Sequence, residues 1–93
     1  MAKPIGSSVN RKSNTPNEIF GRAVTAMRSK RKVSQVLLSE SLGYSSYYLG
    51  RIERGTANVT CDVMAAVSEH FGMTIGQFWT YAERLAKTPS STK

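Results

Sequence analysis

Hydrogen-bonding side chains recur on one side of the segment from residue 46 to residue 54. Helical spacing places Tyr48, Leu49 and Ile52 together on the side that must pack. A helix has the diameter to enter the major groove of duplex DNA, where Arg donates a bidentate pair to guanine and Ser serves several bases. The residues predicted to face outward and meet bases are Ser46, Tyr47, Gly50, Arg51 and Arg54.

Two of these outward residues carry extra information. Gly50 costs the helix on the order of 1 kcal/mol relative to Ala, so a glycine on an outward face indicates that another group comes close to it. Tyr47 offers its hydroxyl to a phosphate or its ring to a thymine methyl group. The alternative for the whole pattern is an ordinary solvated helix face.

Capping residues predict five helices, one of which carries this surface. Thr15, followed by Pro16 and Glu18, forms a capping box for a first helix over residues 16–31. Ser caps and Gly stops then bracket two short helices, from Ser34 to Gly43 and from Ser45 to Gly55, joined by a tight turn. A fourth helix is predicted from about residue 60 to residue 72, and a capping box at residues 74–77 opens a fifth.

The apolar residues follow a helical period, and no useful length alternates with a period of two. The fold class predicted is therefore all-α, a compact five-helix helix-turn-helix domain. The expected inward residues are Ile19, Phe20, Ala23, Val24 and Met27 on the first helix, Val63, Met64, Val67 and Phe71 on the fourth, and Ile75, Phe78, Trp79 and Ala82 on the fifth.

A chain of 93 residues is expected to form one domain. Residues 1–14 have no apolar period and are predicted to form a flexible basic arm. The folded domain is predicted over residues 15–86, and residues 87–93 are predicted to form a flexible tail.

Positive charge is concentrated in the half that carries the outward helix. The chain has a net charge of +7, and residues 1–54 account for all of it, while residues 55–93 are neutral. Such a field suits a polyanion, either a nucleic acid or an anionic membrane. No apolar run exceeds residues 63–67, which predicts a soluble, cytoplasmic protein without a secretory signal. The single cysteine, Cys61, can form neither an intrachain disulfide nor a zinc site alone.

Residues 20–79 resemble the Cro and phage-repressor type, or XRE-like, helix-turn-helix family. The resemblance lies in the Val33-Ser34-Gln35 start, Leu38, Leu42-Gly43, Tyr48-Leu49, the Arg51-Ile52-Glu53-Arg54-Gly55 exit, and residues 71–75 with Phe78. It implies a sequence-specific regulator of transcription that binds double-stranded DNA and acts as a repressor.

The resemblance also assigns roles by position. It implies that Gln35 touches the DNA backbone and braces the third helix, that Ser45 caps this helix beside the backbone, and that Arg28 and Glu53 form a buried ion pair. The expected DNA-binding set is Ser34, Gln35, Ser45, Ser46, Tyr47, Gly50, Arg51 and Arg54. Candidate backbone contacts are Lys30, Lys32, Arg11, Lys12 and Asn58.

Three departures from the family pattern stand out. Ser39 replaces the usual Ala at the helix crossing, and its hydroxyl is expected to bond back to a carbonyl. Leu37 stands where a polar residue is usual, which predicts an exposed apolar spot or a partner contact. The run of Lys30, Arg31 and Lys32 either complements the helix dipole or contacts phosphates.

A single helix-turn-helix domain recognises only a few base pairs, so a homodimer on a near-palindromic operator is expected. Trp79, Tyr81 and Leu85 are the candidate interface, although Trp79 and Tyr81 equally suit capping of the core. RNA polymerase is a further candidate partner. The alternatives are an antitoxin or protein-interaction adaptor with the same fold, and a non-specific RNA-binding or membrane-surface module. No catalytic residues, metal site, cofactor or small-molecule ligand are predicted, and an enzyme is disfavoured.

Overall fold

The structure is a computed structural model that describes residues 15–87 of the chain. Most of these residues lie in five α-helices. The predicted arm with Arg11 and Lys12, and residues 88–93 of the predicted tail, lie outside the described residues, whereas Lys87, the first residue of that predicted tail, belongs to the last helix. No strand occurs between residues 15 and 87, in agreement with the predicted all-α class. The helices are α1 (Pro16–Lys30), α2 (Gln35–Leu42), α3 (Ser46–Arg54), α4 (Cys61–His70) and α5 (Ile75–Lys87).

The predicted helix starts are confirmed by their capping hydrogen bonds. At α1 the Thr15 hydroxyl accepts from the Glu18 amide at 3.1 Å, and the Glu18 carboxylate accepts from the Thr15 amide at 3.1 Å. The Ser34 and Ser45 hydroxyls each accept an amide hydrogen bond of 3.0 Å at the starts of α2 and α3. A second reciprocal pair, Thr74 with Gln77, opens α5. These bonds satisfy amides that the helices leave without internal partners.

The turn between α2 and α3 is short and is held by backbone hydrogen bonds. Gly43 takes a left-handed conformation with φ of 78°, and the following amide of Tyr44 donates to the Ser39 carbonyl at 2.8 Å. Ser39 itself is buried, and its hydroxyl donates to the Val36 carbonyl at 2.8 Å, which confirms the expected back-bond. The Ser46 hydroxyl lies 3.3 Å from the Ser39 hydroxyl. These contacts fix the angle at which α3 leaves α2.

The core lies where α1 crosses α3 and α5, with α2 and α4 closing its sides. Phe20 contacts the ring of Phe78 edge-on at 5.3 Å between centroids. The prediction that Ile75 points inward is wrong: it is 37% exposed, because it is the first residue of α5 and the inward side of that helix begins at Phe78. The buried apolar residues are Phe20, Ala23, Val24, Met27, Leu38, Leu49, Ile52, Ala57, Val67, Phe71, Phe78 and Ala82.

Gly21 permits the close crossing of α1 and α3. A Cβ atom at Gly21 would lie 2.2 Å from the Ile52 carbonyl oxygen and 2.7 Å from that of Glu53. Both neighbours are backbone atoms, which cannot rotate away. A glycine is therefore required wherever α1 is to hold the carboxyl end of α3 this tightly.

Candidate nucleic-acid interface

The inner side of α3 is anchored in the core and its outer side is open. Leu49 and Ile52 are fully buried. Ser46 and Arg54 are exposed, and Tyr47 is 75% exposed, which makes it the most accessible large aromatic side chain in residues 15–87. The helix therefore presents a hydroxyl, a phenol and a guanidinium on a rigid support.

Gly50 lies on the same side of α3 as Arg54 but is covered, so the prediction that it is open to solvent is wrong. The residue is buried, since the side chains of Gln35 and Arg54 lie over its Cα atom. A Cβ atom at this position would lie 3.3 Å from Arg54 Nη1 and 3.8 Å from Gln35 Oε1. The groups that come close to Gly50 thus belong to the protein itself.

Arg51 is half-buried and folds over the carboxyl end of its own helix. Its Nη2 atom donates to the Thr56 carbonyl, and the Thr56 hydroxyl donates back to the Arg51 carbonyl at 3.2 Å. The first bond uses only one of the five N–H donors of the guanidinium, and the others remain available to a ligand.

A buried network ties the start of α2 and the carboxyl end of α3 to α1. Arg28 donates to Glu53 through Nε at 2.8 Å and through Nη2 at 3.1 Å, while its Nη1 donates to the Val33 carbonyl at 3.1 Å. The Glu53 side chain is only 6% exposed. The hydrogen bond to Glu53 raises the pKa of Arg28, burial opposes this effect, and the charge of Glu53 adds to it. Arg28 is consequently held inside the domain rather than offered to a ligand.

Gln35 joins this network from α2. Its Nε2 atom donates to Glu53 Oε1 at 2.8 Å, so donors from α1 and α2 share one carboxylate of α3. The carboxamide is half-buried and fixed in orientation beside α3. Ser34 lies next to it at the amino end of α2, where unpaired amides and the helix dipole favour an anion.

The three basic residues at the carboxyl end of α1 lie in three different environments. Lys30 lies over the ring of Tyr81 at 5.9 Å, on the α5 side of the domain. Arg31 donates to the Phe71 carbonyl at 2.9 Å and stacks on the Phe71 ring, so it joins α1 to the end of α4. Lys32 is exposed and has a left-handed backbone, with φ of 59°. Of the three cations, Lys32 is the one adjacent to the amino end of α2.

Asn58 lies in the loop between α3 and α4, where its side-chain oxygen accepts from Asn17 Nδ2 at 3.3 Å. Asn17 also accepts from the Val59 amide at 3.3 Å. The exposed Asn58 side chain therefore marks the point where this loop is tied to the first turn of α1. The other candidate backbone contacts, Arg11 and Lys12, lie outside the described residues.

Solved structures with this arrangement of helices include several regulators. ClgR, the clp gene regulator of Corynebacterium glutamicum, is 26% identical, with 74% of this chain and 73% of that chain covered and a TM-score of 0.69. An HTH_3 family transcriptional regulator from Vibrio cholerae is 20% identical over 74% of this chain and 39% of its own, with a TM-score of 0.64. The restriction-modification controller protein C.AhdI from Aeromonas hydrophila is 22% identical over 67% and 94%, with a TM-score of 0.62.

The chain has the helix-turn-helix fold of these regulators, as the resemblance implied. No protein-family model matches the sequence, and no curated protein matches it significantly. The same fold occupies 36% of the chain of HppE, an iron(II) protein solved with its substrate, which is 19% identical with a TM-score of 0.61. Function in this helix-turn-helix domain must therefore be argued from its own site.

The α5 side of the helix-turn-helix domain is partly engaged with the core. Trp79 Nε1 donates to the Met64 sulfur at 3.3 Å, and its ring lies 5.9 Å from that of Phe20. Tyr81 packs on Phe78 at 6.0 Å. Both side chains are half-buried, whereas Leu85 is 37% exposed. Leu85 is thus the most available of the three residues proposed for self-association.

Residues 15–87 contain neither a candidate membrane span nor a candidate metal site. No helix there is long and apolar enough to cross a membrane. No group of three or more His, Cys, Asp or Glu side chains is placed to hold a metal ion in that range, and Cys61 is an exposed free thiol.

Sequence reasoning missed three features of the site. Gly21 gave no signal, because only the helix crossing shows that a Cβ would strike backbone there. The Thr56 carbonyl that holds Arg51 is a backbone group and has no residue signature. Leu37 is 56% exposed, in agreement with the predicted apolar spot, but nothing in the sequence indicated that Val36 beside it is 53% exposed as well.

Proposed function

We propose that this protein is a transcriptional regulator that binds double-stranded DNA sequence-specifically through α3. The observation that carries the proposal is the outer side of α3, where Ser46, Tyr47, Arg51 and Arg54 stand on a helix locked to α1 and α2 by buried contacts. ClgR, which shares 26% identity over 74% of this chain, is a gene regulator and supports the same assignment. We infer that the domain is not an enzyme.

In the proposed complex α3 lies in the major groove. Arg51 donates to a guanine edge, and Ser46 and Tyr47, at the start of the helix, contact neighbouring bases. Ser34, Gln35 and Ser45 lie at or beside helix starts, and there they meet the phosphate backbone together with Arg54 and Lys32. The charge of +7 draws the domain to the duplex and makes its affinity depend on salt.

The proposed active form is a homodimer on a near-palindromic operator, because one α3 reads only a few base pairs. Leu85, with the exposed edges of Trp79 and Tyr81, forms the proposed contact between protomers. Binding represses transcription by excluding RNA polymerase, in the cytoplasm, on the nucleoid. Arg11, Lys12, Lys30 and Asn58 are proposed as additional backbone contacts.

Selection of binding sites from randomised duplex DNA tests this function. The purified 93-residue chain is expected to enrich one half-site of a few base pairs, repeated with two-fold symmetry at a spacing of about one helical turn, roughly 34 Å. Enrichment of a single unrepeated half-site would retain DNA reading and overturn the dimer. Recovery of unrelated sequences would overturn sequence-specific recognition.

The exposed pair Val36 and Leu37 favours a second candidate, an antitoxin or adaptor that binds a protein through α2. The two functions are separated by Leu37→Glu and Arg51→Ala. A regulator loses site selection with Arg51→Ala and keeps it with Leu37→Glu. If the protein is an adaptor, Leu37→Glu abolishes binding of a co-purifying partner protein. The parent then selects no preferred duplex, so Arg51→Ala has no site selection to change.

A further inference from the structure

Two side chains from different helices meet above the bare Cα atom of Gly50. Measured from the position that a Cβ atom would occupy, Arg54 Nη1 lies at 3.3 Å, Gln35 Oε1 at 3.8 Å and Gln35 Nε2 at 3.9 Å. Contacts of 3.0–3.4 Å are tighter than nearly all those made by real Cβ atoms. Only the Arg54 contact falls in this range, so its Nη1 atom must shift by a few tenths of an ångström if residue 50 acquires a Cβ atom, and a longer side chain there must also pass Gln35.

Gln35 is the neighbour that cannot easily move. Its Nε2 atom is bonded to Glu53 Oε1 at 2.8 Å, and Glu53 is 6% exposed and held by Arg28. A displaced carboxamide would leave part of a buried carboxylate without its partner, which is unfavourable. The Gln35 side chain therefore keeps its position beside Gly50.

Arg54 is the neighbour that yields. It is exposed, and among residues 15–87 no hydrogen bond or ion pair holds its guanidinium. The position of the Arg54 guanidinium is consequently set by the free space above Gly50 and by the fixed side chain of Gln35. A larger residue at position 50 would turn the Arg54 guanidinium away from α3.

We propose that Gly50 is a positioning residue, whose missing side chain lets the Arg54 guanidinium lie across α3 beside Gln35, directed at one phosphate of the DNA backbone. The inference rests on the proposed function and adds to it a residue that touches no DNA. A guanidinium suits this role because its planar fork of donors matches phosphate oxygens. It also accounts for a weak helix former inside a nine-residue helix.

The test compares Gly50→Gln, Arg54→Ala, the double variant and Gly76→Gln. Gly76 is a matched control, since it is also a helical glycine and a Cβ atom there meets only Thr74 Oγ1, at 3.9 Å. Affinity for the selected site and for an unrelated duplex is measured over a range of salt concentrations, together with the thermal unfolding midpoint of each variant.

Gly50→Gln is expected to reproduce Arg54→Ala, with roughly tenfold weaker binding, the loss expected for one hydrogen bond to a charged group. The salt dependence should fall by about one unit in both variants. The double variant should lose little more than either single one, and Gly76→Gln should match the parent. The unfolding midpoint of Gly50→Gln should not fall, because Gln is the better helix former, so a structural defect does not explain the weaker binding.

Parental affinity and salt dependence in Gly50→Gln would overturn the inference. An equal further loss when Gly50→Gln is added to Arg54→Ala would also overturn it, because the effect would not pass through Arg54. Failure of the proposed function has a different signature: the parent itself shows no preferred site. The slope comparison on the unrelated duplex still decides the role of Gly50 in that case.

Discussion

Arg28 on α1 and Glu53 on α3 form a two-point contact, with Nε to Oε2 at 2.8 Å and Nη2 to Oε1 at 3.1 Å. Because Gln35 donates to the same carboxylate, the contact fixes the orientation of α3 relative to both helices beside it. The outer side of α3 is therefore held rigid by an ion pair, Arg28 with Glu53, that lies inside the domain.

Arg28→Ala is expected to lower the free energy of unfolding by about 3 kcal/mol, because it leaves a buried carboxylate without its cation. Chemical denaturation measures the change. In a double-mutant cycle, Arg28→Ala should cost much less when Glu53→Gln is already present, since the uncompensated charge is then gone. Equal losses in both backgrounds would show that the two side chains are not coupled.

Gly21→Ala is expected to destabilise the domain by about 3 kcal/mol, since the new methyl group would overlap the Ile52 and Glu53 carbonyl oxygens. Denaturation of Gly21→Ala beside Gly76→Ala measures this, because the second variant gains the same helix propensity without a clash. A parental midpoint for Gly21→Ala would mean that α1 and α3 do not cross at the observed distance.

Local signals predicted the helices, whereas the contacts around the site needed three dimensions. Thr15, Ser34, Ser45 and Thr74 specify helix starts by hydrogen bonds that span three residues, so their spacing in the sequence is sufficient. The surroundings of Gly50 depend on Gln35, fifteen positions away on another helix. Its burial could not be read from the period of α3 alone.

Arg51→Ala is expected to weaken binding to the selected site by about 1–3 kcal/mol and to relax base preference at one position of each half-site. Arg54→Ala, which removes a proposed phosphate contact, should instead weaken binding to all sequences nearly equally. Site selection repeated with both variants distinguishes the two roles. Unchanged base preference in Arg51→Ala would show that Arg51 does not contact the bases.

Lys32→Gly is expected to raise the free energy of unfolding by about 1 kcal/mol, because glycine relieves the left-handed backbone at φ of 59°. If Lys32 contacts a phosphate, the same variant should lower DNA affinity and reduce the salt dependence by about one unit. Lys32→Asn is the control, since Asn tolerates this conformation and also removes the charge. A salt dependence equal to that of the parent in both variants would assign Lys32 to the turn alone.

Backbone amide shifts, recorded while the selected duplex is titrated into isotope-labelled protein, test the central claim most directly. We expect the largest changes at the amino end of α2 and along α3 from Ser46 to Arg54, with α4 much less affected. Changes confined to other helices, with the amides of α3 unmoved at saturation, would contradict the assignment of α3 as the DNA-reading helix.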